Sequence, residues 1–219
     1  MIIEKTLKGL FLAFILYLLF LLPSVRTIGI FYEEITFSIQ NHLIRLFTYT
    51  IPILFLVYYL LYKRPKKPFP KFTLTDLIIF TISLIELVSI GFVFSLMPKI
   101  FSTEFVSPQI MSPDSFSAWI VMIISCLGTG YLEESFFRIY LLQKLEEANI
   151  GKIQSILFST LLFSLCHIYL GIWGVLNAIF AGFFLCLIYI KYKSFHGIAF
   201  AHTGYNIFVY TMQAAGLTT

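Results

Sequence analysis

The chain has 219 residues, enough for one domain, with a mean hydropathy of +0.91, 59% hydrophobic residues and only 12% charged ones. Soluble domains carry about a quarter charged residues, so this composition excludes a water-facing surface over most of the molecule. The net charge of +4 gathers in Lys63, Arg64, Lys66, Lys67 and Lys71, but no stacking platform or nucleic-acid motif accompanies it, so no nucleic-acid partner is expected.

Apolar runs at about 7–22, 43–62, 74–96, 116–145, 153–170, 174–191 and 197–215 each approach the ~20 residues that cross hydrocarbon. Strand-like alternation is missing, and lipid requires the backbone to satisfy itself, so these runs predict helices. The expected fold is all-α and polytopic, a bundle of about seven to eight transmembrane helices. It forms a single transmembrane domain over 1–219, with a helix core over 116–215.

The first run lacks a small-x-small cleavage site after it and reads as a retained helix rather than a signal peptide. Beyond it, Ile28, Phe31, Ile35 and Ile39 recur at helical spacing and suggest a short interfacial helix. With the N-terminus cytoplasmic, the inner side holds Lys5, Lys8, the 63–71 run, Lys144, Lys152, Lys191 and Lys193. The outer side holds Arg26, Arg45 and Lys99. Eleven basic residues against three predict that orientation by the positive-inside rule. The Ile, Lys and Phe bias adds a bacterial plasma membrane. Cys126, Cys166 and Cys186 are isolated in apolar runs and read as small core residues.

The fourth run breaks the pattern. Glu133, Glu134 and Arg138 lie inside it, and three mid-bilayer charges cost about 9 kcal/mol against the ~4–7 its apolar residues return. These charges therefore face the bundle interior or a wet cavity. Glu134 and Arg138, four apart, share a helix face and neutralise each other. Glu133 is turned about 100° away and has no such local partner. A solvated helix end is the alternative, but five apolar residues follow between Phe136 and Leu142.

The fifth run carries Phe163 and His167, and the seventh His202 and Asn206, each pair at i, i+4 and so on one face. On a 1.5 Å rise, Glu133 lies about 18 Å from its cytoplasmic end, His167 about 21 Å, His202 about 11 Å and Asn206 about 17 Å. Three helices thus place polar groups in one layer. His42 and His196 sit at segment edges and read as interfacial residues. Glu86 lies at a similar depth, as either a histidine partner or a protonated carboxyl bonded to Ser or Thr. Asp76 reads as a helix-cap residue.

Two carboxylates, two histidines and an amide suit activation of water by a carboxylate base, with donors left over for a developing oxyanion. There is no H-E-x-x-H helix, no aspartyl pair and no serine-nucleophile segment.

Glu133-Glu134-Ser-Phe-Phe-Arg138, Phe163-Ser-Leu-Cys-His167 and His202-Thr-Gly-Tyr-Asn206 resemble, in order, the E-E-x-x-x-R, F-x-x-x-H and H-x-x-x-[N/D] motifs of one family. That family is the CAAX protease and bacteriocin-processing (CPBP, or Abi) group, related to Ras-converting CAAX prenyl endopeptidases. The resemblance covers residues 133–206. It implies a glutamate-dependent intramembrane endopeptidase with its site open towards the cytoplasm. Glu133 and His167 would activate water, His202 and Asn206 would form an oxyanion hole, and Glu134, Arg138 and Phe163 would support them. Its partners would be a membrane-associated peptide or protein substrate and the bilayer; the oligomeric state is left open. Zinc or iron could be held by two Glu and two His, but Glu133 cannot be both ligand and free base, so no metal cofactor is expected. A non-catalytic immunity or scaffold protein is the alternative. A proton-coupled transporter fits less well, because neither inverted repeats nor paired broken helices occur.

Overall fold

The computed structural model describes residues 2–26, 37–62, 70–102 and 113–215. Seven helices account for them: α1 Ile2–Arg26, α2 Ile39–Tyr62, α3 Leu74–Ile100, α4 Phe116–Glu147, α5 Lys152–Leu165, α6 Gly171–Tyr192 and α7 Phe195–Ala214. No strand occurs among the described residues. The chain is an all-α integral membrane protein. Five of its apolar segments, Thr6–Val25, Ile39–Tyr62, Leu74–Ile100, Phe116–Glu147 and Ile168–Tyr192, are long and apolar enough to cross a bilayer. Large apolar side chains point outward along them, with Phe55 71% exposed, Phe92 65% and Phe116 82%. That belt is stable only against lipid.

The two remaining helices depart from the apolar pattern for a physical reason. The fifth run was expected to continue to residue 170, but α5 stops at Leu165. Its 14 residues reach only about 21 Å, short of the ~30 Å hydrocarbon core. A turn at Cys166–His167 and a short 3-10 segment Ile168–Leu170 follow, before Gly171 at φ 70° starts α6. Irregular backbone at this depth is tolerated only where protein or a cavity surrounds it. Helix α7 carries His196, His202, Asn206 and Gln213, which dilute its hydropathy. The expected interfacial helix around Ile28, Phe31 and Ile35 lies outside the described residues, as do Lys63, Arg64, Lys66 and Lys67.

Contacts between helix ends establish an alternating bundle. At one end, α1 at Gly9 packs on Lys144 of α4. At the same end Asp76 Oδ2 accepts the backbone N–H of Thr73 at 2.7 Å, capping α3. Its Oδ1 accepts from Ser194 Oγ at 2.5 Å and from the Gly197 N–H at 3.2 Å. The expected cap residue thus also ties the start of α3 to the start of α7. At the other end, Ser24 of α1 donates to the Cys166 carbonyl, Tyr49 Oη donates to the Leu19 carbonyl at 2.8 Å, and Phe101 stacks on Trp173. The first end, which gathers Lys71, Lys144, Lys152, Lys191 and Lys193, is called the basic end below.

Two apolar clusters hold the helices. One joins α1, α2, α4 and α5 through Leu16, Val57, Phe136, Phe137 and Phe163. The other joins α3, α6 and α7 through Ile79, Leu185 and Ile198. Helix α4 runs between them, and glycines let it come close. A Cβ at Gly130 would stand 2.5 Å from Thr203 Oγ1 and 3.0 Å from the Ala199 carbonyl of α7. One at Gly128 would meet Thr50 of α2 at 3.0 Å. The three cysteines are free and buried.

Candidate active site

The site begins with two consecutive carboxylates on α4. Glu134 is fully buried, while the Glu133 side chain keeps 17% exposure. Directly after Glu134, α4 widens into a π-helical stretch, Ser135–Leu141; such turns recur at functional sites because they re-aim side chains. Arg138 Nε lies 3.1 Å from Glu134 Oε2, both groups at most 1% exposed. The Arg138 guanidinium stacks 4.4 Å above the Phe163 ring. Its Nη atoms have no hydrogen-bond partner among the described residues, so the ring face supplies part of their compensation.

The close approach at Gly130 brings α7 against α4, and His202 reaches both carboxylates. Its Nδ1 lies 2.8 Å from Glu134 Oε1, and its Nε2 lies 3.7 Å from Glu133 Oε2. Because Glu134 is locked by Arg138 on one oxygen, its other oxygen accepts the His202 Nδ1–H. That fixes the imidazole with Nε2 turned towards Glu133. Spacing alone gave Glu134 one partner and Glu133 none; the structure adds His202 to both.

His167 occupies the turn after α5, and its Nδ1 lies 2.9 Å from the Phe163 carbonyl. A carbonyl only accepts, so the proton is on Nδ1 and the Nε2 lone pair is free. Phe163 is the spacer of the group: its ring lies 4.7 Å from that of His167, 5.9 Å from that of His202 and 5.3 Å from that of Phe137. Gly182 of α6 makes room for it, since a Cβ there would stand 2.9 Å from Phe163 Cδ1.

Glu133, His167, His202 and Asn206 line one cavity of about 300 Å³. A second, of about 370 Å³ between α1, α2, α4 and the turn after α5, shares Glu133 and His167 as walls. Arg45, Thr50, Thr129 and Tyr169 also border both. Asn206 makes no hydrogen bond among the described residues, so its amide is open to a ligand. A larger cavity of about 510 Å³ at the basic end touches Arg138 but not Glu133.

The direction of the site sets two expectations against each other. From Glu133 the cavity walls run through Ser24, His42, Tyr169 and Gln213, all at the end opposite the basic one. The rule that assigns the basic loops to the cytoplasm assigns these walls to the other side. A site open to the cytoplasm and the expected orientation therefore do not hold together.

Other readings moved as well. His42 stacks on Phe37 with ring centroids 4.3 Å apart and also lines the cavity beside Glu133. His196 lies 2.9 Å from both the Tyr131 hydroxyl and the Pro70 carbonyl. Glu86 borders neither cavity and forms no hydrogen bond among the described residues, so the expected Ser or Thr partner is not there. Sequence reasoning missed Arg45, Tyr169 and Asn177. For Asn177 a signal existed, because an amide inside an apolar span is a site marker in its own right.

No group of three His, Cys, Asp or Glu that could hold a metal ion occurs among the described residues. Both Glu134 oxygens are engaged by Arg138 and His202, and each histidine commits its Nδ1 to a protein acceptor. That leaves Glu133 and the two histidine Nε2 atoms as the donors open to a ligand.

Fold and site together define a helical membrane protein with a buried carboxylate–imidazole cluster on a cavity wall. Residues 115–208 match the family described as Rce1-like, type II CAAX prenyl endopeptidase. The matched stretch includes all three motifs and runs from the start of α4 into α7, in support of the resemblance to the CAAX protease family. Neither the curated proteins nor the solved structures compared with the chain gave a match.

Proposed function

We propose that the chain is an intramembrane endopeptidase that hydrolyses a peptide bond in a membrane-associated substrate without a metal. The observation that carries this reading is the asymmetry of the two carboxylates. Glu134 is sealed between Arg138 and His202, whereas Glu133 faces a cavity with the free His167 Nε2 on the same wall. The family match to residues 115–208 supports a proteolytic activity.

In this reading water sits between Glu133 and His167. Its oxygen attacks the scissile carbonyl carbon as Glu133 takes its proton. The oxyanion accepts hydrogen bonds from His202 Nε2–H and the Asn206 amide. The Glu133 carboxylic acid then returns the proton to the amine as the C–N bond breaks. Charge balance supports the protonated His202 that this step needs. Two carboxylates and one guanidinium leave one negative charge, and an imidazolium brings the buried group to neutrality.

The test compares cells expressing wild type and Glu133→Gln at equal abundance, with the termini of membrane-associated peptides read by mass spectrometry. Uncleaved substrate should accumulate with the variant. Identical termini in both strains would overturn the reading. Bacteriocin protection or vesicle proton flux that survives Glu133→Gln would favour binding or transport instead.

A further inference from the structure

A membrane-embedded substrate arrives with its backbone N–H groups satisfied, and exposing each one to an apolar site costs several kcal/mol. Hydrolysis needs that segment unwound, so an intramembrane peptidase must offer acceptors where the chain opens. The cavity beside Glu133 holds three oxygens that suit this task. Ser125 Oγ on α4, Asn177 Oδ1 on α6 and Gln213 Oε1 on α7 belong to residues on its wall. All three atoms are buried, with no hydrogen-bond partner among the described residues. Each arrangement left this way is unfavourable for the resting fold, and three in one cavity from three helices mark a place for a ligand rich in donors.

Their heights form a row. Asn177 donates through Nδ2 at 3.2 Å to the hydroxyl of Tyr205, the residue before Asn206. Ser125 lies eight residues before Glu133, about 12 Å along α4. Gln213 lies eleven residues beyond His202, about 16 Å along α7. An extended strand advances about 3.3 Å per residue, so the row spans roughly four residues.

We propose that Ser125, Asn177 and Gln213 are the backbone acceptors of the substrate cleft. They hold about four residues on one side of the scissile bond as an extended strand, running from Glu133 towards the end opposite the basic loops. This rests on the peptidase reading and adds to it a substrate bound through its main chain. Asn177 is a positioning residue of this kind on a helix that carries none of the three motifs.

The test uses the full chain carrying Glu133→Gln in lipid nanodiscs. Its probe is a capped, fluorophore-labelled nonapeptide of alternating Val and Ala, alongside the same peptide N-methylated at alternate amides. The parent peptide should bind, and the N-methylated one should bind about tenfold or more weakly. Ser125→Ala, Asn177→Leu and Gln213→Leu should each weaken the parent about three- to tenfold, the loss of one hydrogen bond, and narrow the gap between the probes. Ser125→Ala and Gln213→Leu should leave the melting temperature unchanged or raised, whereas a structural role would lower it. Equal binding of the two probes, no binding of either, or variants that bind like the parent protein would overturn the proposal; the last result means that the oxygens only hydrate the cavity. N-methyl-sensitive binding together with no cleavage by wild type would remove the peptidase reading and leave this one. Cleavage lost in Glu133→Gln together with binding indifferent to N-methylation would do the reverse.

Discussion

Glu133 and Glu134 are neighbours in the chain but belong to two different regions. Glu134 lies in a closed one, where Arg138, His202 and the Phe163 ring leave none of its surface exposed. Glu133 lies on an open wall with Asn177, His167 and Asn206, where Glu133 Oε2 and Asn177 Oδ1 have no hydrogen-bond partner among the described residues. One region supplies rigidity and the other supplies unused hydrogen-bonding capacity. In the first, opposite charges and the Phe163 ring offset the burial of polar atoms; in the second, oxygens are left for a ligand.

Arg138→Ala should break the closed region hardest. It leaves the Glu134 carboxylate buried against His202 alone, a loss expected to cost about 3–5 kcal/mol. The variant should melt well below wild type in detergent. The double change Arg138→Met with Glu134→Gln should recover much of that stability without recovering cleavage, since His202 keeps an acceptor but loses its charged partner. An Arg138→Ala protein that melts with wild type would show that the pair does not brace the fold.

Asn206→Ala probes the open wall and should have the opposite signature. Removing one oxyanion donor lowers the rate about 10²–10³-fold. Because Asn206 bonds to nothing among the described residues, stability should change by no more than about 0.5 kcal/mol. A large loss of stability with cleavage intact would place Asn206 in the wrong region.

Gly130 joins the two. Gly130→Val drives its Cβ into Thr203 Oγ1 and the Ala199 backbone, so α4 and α7 must separate, at about 1–3 kcal/mol. His202 would then lose reach to Glu134, and stability and cleavage should fall together. Gly128→Ala meets only Thr50 and Leu46 side-chain methyls, at 3.0 and 3.1 Å, and should do less. Equal effects from the two changes would mean that the α4–α7 contact does not set the site.

The closed region was the more legible of the two. Glu134 and Arg138 at i, i+4 announce their pairing, because helix geometry alone brings them together. Charge in an apolar run, and a shared depth across three helices, likewise pointed to one cluster. What spacing could not supply was the third dimension. That His202 bridges both carboxylates depends on how closely Gly130 lets α7 approach. The end of α5 at Leu165 was hidden because Cys166 and the residues up to Leu170 continue the apolar pattern through a turn. Hydropathy sees their composition and not their backbone. The side on which the cavity opens follows from packing between helix ends, which no single helix encodes.

Tyr131→Phe tests where the boundary between the regions falls, with the smallest expected effect. The Pro70 carbonyl can only accept, so His196 donates to it through Nε2–H, and its Nδ1 accepts from the Tyr131 hydroxyl, each at 2.9 Å. This chain of bonds ties α4 and α7 to the residues ahead of α3 at the basic end, away from the cavity that Glu133 faces. Losing the hydroxyl should cost about 0.5–1.5 kcal/mol, read as a small drop in melting temperature. Cleavage should stay within about twofold of wild type, since no atom of the open wall depends on that bond. Yet Tyr131 stands only two residues before Glu133. A tenfold loss of cleavage at unchanged stability would mean that the pitch of α4, set at its basic half, aims the Glu133 carboxylate, and the open region would then have to include that end.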